Sequence, residues 1–296
     1  MDAPFPNTTR IEISPALASE LLKGVESLPL YDNKEFYSPA LQSFVRDSIR
    51  EACPDGFDWL VGLTQERIAL WPNWVLLQGL RFDEGNRLFV ALNRAFGELV
   101  ARPYEAPRAQ LVHYVQPSTD RLSSRGGLES ERLHTDTADW ETPVELISMV
   151  CVRADPKGGG RSRILDVDTV RDEVINRLGA ESLELLETGP VPWQLAAYCG
   201  GGVKWRTVLT EFSICWRRYT IDLALDSTGA KLSDEMTGAL DAFEELINST
   251  TRTADFFMRE SELLFTDNTR TIHARTPIAD CNTSDRLMIR SWIRVL

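Results

Sequence analysis

The sequence predicts an α+β fold: a distorted double-stranded β-helix, or jelly roll, with flanking helices. Three observations predict it. Apolar residues recur at helical spacing through much of the first hundred residues. After residue 105 the pattern changes to short apolar runs at strand spacing, separated by long insertions. The stretch from Glu262 to Val295 is rich in strand signals. Strands and helices do not alternate, which disfavours a doubly wound sheet and favours a double-sheet jelly roll. The expected organisation is one domain over 1–296, with a mainly helical part at 1–105 packing on a jelly-roll core at 106–296.

Taken in order, Ala16 to Val25 and Pro39 to Ala52 have the amphipathic spacing of helices. Ile68 to Leu80 is apolar and interrupted by Pro72, so it reads as strand, turn, strand. Asp83 caps a helix running to about Val100, with Leu88, Leu92, Phe96 and Leu99 on one face. Ala109 to Val115 and Val144 to Arg153 are strands. The second is apolar on both faces, as expected of a strand covered on both sides. Ser162 to Val167 is a strand after a glycine-rich turn, and Val170 to Leu178 and Ser182 to Glu187 are helices. Thr207 to Leu223 reads as one or two strands. Asp234 to Asn248 is a helix, with Met236, Leu240, Phe243 and Ile247 aligned. Glu262 to Thr266, Thr271 to Arg275 and Arg286 to Val295 complete the strands.

A chain of 296 residues that is 43% hydrophobic is long enough for a sizeable core. Its net charge of -12 argues against nucleic acid and anionic membranes as partners. The five cysteines are scattered without metal-site or disulfide-framework spacing, which suits a reducing, cytoplasmic setting. The opening MDAPFPNTTRIEIS lacks the apolar stretch of a signal peptide, and no apolar run approaches the ~20 residues that span a bilayer. Only three histidines are present, His113, His134 and His273, so an imidazole-based site has few places to be.

The sharpest local feature is Leu133-His-Thr-Asp-Thr-Ala-Asp-Trp140. On an extended segment His134 and Asp136 point to the same side and can meet one metal ion. His273 lies 273 − 134 = 139 residues later, on a short strand after an Asp-Asn turn. Two imidazoles and one carboxylate make a facial triad, which leaves coordination positions open and suits non-haem Fe(II) and O₂. In the last strand Arg286, Met288, Arg290, Trp292 and Arg294 share one face. Guanidinium groups on the inner face of a barrel are costly unless they meet anions. Arg286 and Arg290 stand ~13 Å apart along a strand, enough for two different anions. Arg294 is assigned to the charged outer face of an edge strand.

These residues together resemble a known family. The HTD motif, the segment LLFTDNTRTIHARTP and an Arg thirteen residues past the second His are similar to Fe(II)/2-oxoglutarate-dependent oxygenases. The nearest resemblance is to the taurine dioxygenase and clavaminate synthase-like group, which includes hydroxylases of free asparagine and arginine. It runs from about Val75 onward, and Met149 to Ser162 resembles the strand and glycine turn that follow the motif. The resemblance implies a cupin-like core, Fe(II), 2-oxoglutarate as cosubstrate, and O₂. It implies His134, Asp136 and His273 as iron ligands, and Arg286 with Ser162 as the seat of the distal carboxylate of 2-oxoglutarate. Arg290 matches a position that holds a substrate anion in some members. His113 has two readings, substrate contact or buried structural residue. The segment Gln116 to Arg132 corresponds to a variable lid, in which Ser124 is a candidate substrate contact. Trp140 is assigned to the core. Asp136 stands where halogenases have Gly or Ala, so hydroxylation is expected.

The implied activity is oxidation of an unactivated C–H bond in a small anionic molecule, either a free or carrier-bound amino acid or a natural-product intermediate. Two alternatives remain at this point. A zinc hydrolase on the same triad leaves Arg286 unexplained, and a non-catalytic cupin-like binding protein leaves the triad unexplained. Oligomeric state is open.

Overall fold

The structure is a computed structural model that describes residues 9–101, 111–119, 128–278, 280–281 and 284–295. Strand β1 (Arg10–Glu12) leads into helix α1 (Pro15–Glu26). Ser14 caps that helix through the Leu17 N–H, and Pro15 follows at its first turn. Helix α2 (Pro39–Ala52) begins the same way, with Ser38 receiving the Leu41 N–H. Helix α3 (Pro54–Ala69) follows, burying Phe57, Leu60, Thr64 and Ile68 at helical spacing. Strand β2 (Trp74–Gln78) comes next, then helix α4 (Arg87–Phe96), β3 (Glu98–Val100), β4 (His113–Val115) and β5 (Leu146–Arg153).

Three expectations are corrected here. Ile68 to Leu80 contains one strand, not two, because Ile68 belongs to the buried stripe of α3. The helix expected from Asp83 to Val100 spans only Arg87–Phe96. Asp83 still binds the Arg87 and Leu88 N–H groups, while Gly97 admits a close approach to the Arg294 carbonyl and the chain turns into β3. The described part of the strand expected at 109–115 is limited to β4.

Strand β6 (Ser162–Asp166) ends at the Asp166 cap of helix α5 (Val167–Leu178). Helix α6 (Ala180–Thr188), the hairpin β7 (Val191–Gln194) and β8 (Val203–Arg206), and helices α7 (Arg218–Thr228) and α8 (Asp234–Ser249) follow. The strands expected over Thr207 to Leu223 are therefore a correction. Only an isolated Leu209–Ile214 bridge forms, around a turn at Thr210, and the buried Thr220, Ile221 and Ala224 then follow helical spacing in α7. Strands β9 (Ala254–Phe256), β10 (Leu263–Asp267), β11 (Thr271–Arg275) and β12 (Leu287–Arg294) complete the chain.

The major sheet runs β1-β2-β10-β5-β12-β3, with β4 also pairing β12. The minor sheet runs β11-β6-β9, and the His134–His273 bridge adds one more extended residue to its edge. Among the described residues these ladders do not close into a barrel. The alternation of side chains gives each sheet two buried faces. In the major sheet Val75, Leu77, Val150, Phe265, Ile289 and Ile293 meet α1–α4. The opposite face, with Leu76, Cys151, Leu264 and Met288, meets Ile164, Ala254 and Phe256 of the minor sheet. The far side of the minor sheet packs Leu165, Ile272 and Ala274 on residues of α5–α8. The result is four layers, helices, sheet, sheet, helices, the cupin-like jelly-roll arrangement with packing helices. Strand β12 is interior, not an edge: it pairs with β5 on one side and with β4 and β3 on the other. Arg294 lies at its end, half-exposed and paired with Glu145.

Candidate metal centre

His134 and His273 are opposite each other in an antiparallel bridge. The His134 N–H donates to the His273 carbonyl at 3.0 Å, and the His273 N–H donates to the His134 carbonyl at 2.9 Å. Residues so paired project their side chains from the same face, so the two imidazoles emerge together, with ring centroids 4.7 Å apart. Asp136 follows two residues later. Its Oδ1 lies 3.6 Å from His134 Nε2 and 3.9 Å from His273 Nε2. One donor atom from each of the three lies within 4.8 Å of the others.

The surroundings fix this set. His134 Nδ1 lies 2.8 Å from the Arg132 carbonyl, which selects the tautomer with the proton on Nδ1 and leaves the Nε2 lone pair available. The other carboxylate oxygen of Asp136, Oδ2, receives Arg290 at 2.9 Å and the Trp292 indole N–H at 2.8 Å. The fully buried Asn268 side chain clamps the Asp136 backbone: its Oδ1 accepts the Asp136 N–H, and its Nδ2 donates to the carbonyls of Asp136 and Val144. Thr135 is tied to the chain around Trp216 through its N–H and its hydroxyl. Thr137 takes a left-handed conformation at φ 55°, turning the chain away after the motif.

Electrostatics follow from burial and charge. Burial works to raise the Asp136 carboxyl, but the Arg290 charge and the adjoining His134 and His273 imidazoles hold it well below the usual carboxylate range. Burial, with the neighbouring His134, pushes His273 down to about 3, while Asp136 opposes this and Arg290 and Arg217 add to it. A neutral His273 imidazole beside an anionic Asp136 carboxylate matches the protonation states a divalent metal requires of its ligands. The donor set therefore fits Fe(II).

Arg286 immediately precedes β12 and is buried, with its guanidinium donating to the Gly160 carbonyl at 3.2 Å. Burial lowers it to about 10, with Cys151 opposing and Arg275 adding. Among the described residues it forms no direct ion pair, and the Asp155 charge supports the cation only in part against its burial. Ser162 opens β6, opposite Arg275 and two residues from Gly160. It lies on the same inter-sheet side as Ile164, on the same end of the sandwich as Arg286. His113 pairs in register with Arg290 and packs its ring 4.6 Å from Trp292. Ser124 lies outside the described residues. Trp140 is buried with Val144, Ile147 and Trp292.

The structure thus separates the two C-terminal arginines. Arg290, expected to hold a substrate anion, is bound to Asp136, whereas Arg286 makes no direct ion pair among the described residues. Sequence reasoning missed Asn268, the role of Trp292, and Arg217. For Trp292 a signal existed, since it shares the period-two face with Arg290. Asn268 was visible only as a turn residue.

Comparison with known proteins places these residues in context. The family model for taurine catabolism dioxygenase TauD, TfdA family, matches residues 207–292, the segment holding His273, Arg286 and Arg290. No curated protein sequence matches the chain. Among solved structures, asparagine oxygenase in complex with Fe(II), 2S,3S-3-hydroxyasparagine and succinate superposes with a TM-score of 0.76 at 15% identity, covering 97% of this chain and 93% of that one. The non-heme iron oxygenase OrfP in complex with Fe, succinate and (3S)-hydroxy-L-Arg gives a TM-score of 0.71 at 17% identity, covering 96% and 93%. The chain resembles the TauD, TfdA dioxygenase family in sequence over 207–292, and over nearly its whole length it shares the fold of these iron oxygenases.

Proposed function

We propose that the chain is an Fe(II)- and 2-oxoglutarate-dependent oxygenase, one domain over its described length, that hydroxylates an unactivated C–H bond of a small anionic substrate. A free or carrier-bound amino acid is the substrate class, since the structurally similar proteins hold hydroxylated asparagine and arginine beside succinate. The observation that carries the reading is the convergence of His134, Asp136 and His273, which bring one donor atom each within 4.8 Å of the others; the buried Arg286 supports it.

His134 Nε2, Asp136 Oδ1 and His273 are assigned to the metal. Bound iron with 2-oxoglutarate supplies O₂ activation and the oxidising power for C–H cleavage. The protein supplies the rest. Arg286 and the Ser162 hydroxyl receive the far carboxylate of the cosubstrate, and a guanidinium fork matches that anion better than an ammonium. Arg290 and Trp292 hold Asp136 so that one oxygen faces the imidazoles. Trp140, Val144, Ile147 and Trp292 exclude water from the side of the site behind Asp136. Nucleic acid and membranes are not partners in this reading, for which the acidic chain is the support. The scattered spacing of the five cysteines supports a cytoplasmic setting.

The test is spectroscopic. Anaerobic addition of Fe(II) and 2-oxoglutarate to the purified protein is expected to produce a visible metal-to-ligand charge-transfer band. His134→Ala and His273→Ala are each expected to lose it, and Arg286→Ala to require at least about 10-fold more 2-oxoglutarate, from the loss of a charge-assisted contact. A folded, metal-loaded wild type without the band sinks the proposal.

A further inference from the structure

Beside His134 a cavity of about 60 Å³ opens between the motif strand, the start of α7 and α8. That is several times the ~10–15 Å³ needed for one water, so it admits a terminal polar group but not a whole amino acid. Three arginines line it, and two are already matched. Arg132 pairs with Glu244 at 2.8 Å. Arg218 pairs with Asp222 at 2.8 Å and with Asp241 at 2.7 Å. Arg217 is the third. It is half-buried, lines the same cavity as His134, and its side chain has no hydrogen bond or ion pair among the described residues. The two carboxylates that line the cavity, Asp222 and Glu244, are the ones taken by its neighbours. Meanwhile Arg290, the other cation near the triad, is bound to Asp136.

We propose that Arg217 sets substrate specificity by receiving the terminal carboxylate of an acidic amino acid whose reacting carbon lies over the His134, Asp136 and His273 triad. This rests on the oxygenase reading and names the substrate class within it. A guanidinium lining the same cavity as His134 favours a carboxylate through a charge-assisted hydrogen bond. It also opposes a cationic side chain, so an arginine-like substrate is disfavoured by repulsion as well as by lack of a partner. An amide of the same shape keeps the hydrogen bond but loses the charge.

The experiment titrates L-aspartate, L-glutamate, L-asparagine, L-glutamine and L-arginine, by anaerobic calorimetry, into protein holding Fe(II) and 2-oxoglutarate, after its charge-transfer band has been recorded. In the wild type one of the two acids is expected to bind about 10- to 100-fold more tightly than its amide, and L-arginine weakest. Arg217→Gln is expected to abolish that preference with 2-oxoglutarate affinity unchanged, and Arg217→Lys to restore part of it. Equal binding of acid and amide, no binding of either acid, or a preference that survives Arg217→Gln overturns the assignment of Arg217. Absence of the band in the wild type instead overturns the oxygenase reading and this inference with it, so the two failures are told apart.

Discussion

Asp136 is surrounded by groups that divide its labour. One oxygen faces the two imidazoles, and the other is held by Arg290 and Trp292. The backbone on either side is clamped by Asn268, a residue that touches none of the metal-facing atoms. Truncating that amide strands a buried N–H and two buried carbonyls. Asn268→Ala is expected to cost about 2–4 kcal/mol in denaturant unfolding, and to weaken metal affinity about 10-fold or more, because such supporting bonds hold a ligand in place. Asn268→Asp keeps the acceptor and loses the donor, so it separates the Asp136 N–H bond from the two carbonyl bonds. A variant with native stability and native metal affinity would remove Asn268 from the site's support.

Strand β12 and the glycine turn before β6 show how elements deliver chemistry. Along β12, Met288 packs between the sheets and Arg290 and Trp292 reach Asp136, while Ile289 and Ile293 meet the helices. A slip of one residue would exchange the two sets. The turn brings Gly160 against Arg286. Gly160 has φ +68°, and a Cβ there would stand 2.6 Å from Arg286 Nε and 3.0 Å from its Cδ. Gly160→Ala is therefore expected to displace the guanidinium and raise the KM for 2-oxoglutarate by about 10-fold, with ~1–3 kcal/mol of strain in stability. An unchanged KM in a folded variant would separate Arg286 from the cosubstrate. Much of this was legible in the chain, because period-two patterning survives in strands that are buried on both faces. The alternating cations of β12 and the HTD spacing could be read directly. What was not legible depended on tertiary partners. Ile68 looked strand-like beside Pro72 but closes the apolar stripe of α3. The residues around Val208 and Trp216 alternate like a strand, yet the chain turns at Thr210 and winds into α7. Arg290 and Arg286 look equivalent in sequence, and only the packing of Asp136 against β12 tells them apart.

For the molecule as a whole, the centre lies where the two sheets face each other, and its electrical state is coupled to folding. His273 titrates at about 3 in the folded protein, against an ordinary value of about 6.5. A depressed folded value contributes stability that is fully present above the unfolded value and is lost as pH falls from about 6.5 towards 3. Asp136, also depressed, adds to the loss at still lower pH, while Asp166, raised by burial, acts in the opposite sense there. The window between about pH 7 and pH 5 therefore reports mainly on His273. Metal-free protein is expected to lose stability across it with a slope approaching about 1.4 kcal/mol per pH unit, measured by urea unfolding, and His273→Gln to flatten the slope. A flat wild-type profile would show that the imidazole is not held neutral.

The reciprocal backbone pair between His134 and His273 has a consequence beyond placing two imidazoles. It joins segments that are 273 − 134 = 139 residues apart, with β5 to β10 and helices α5 to α8 lying between them in the chain. A metal held there acts as a removable staple across that span. It binds the native arrangement and not the open chain, so loading at a hundred times its dissociation constant adds about 2.7 kcal/mol to global stability. Under the oxygenase reading the ion would then also resist separation of the His134 segment from β11, and its loss would leave that edge held by two peptide hydrogen bonds and the packing behind it.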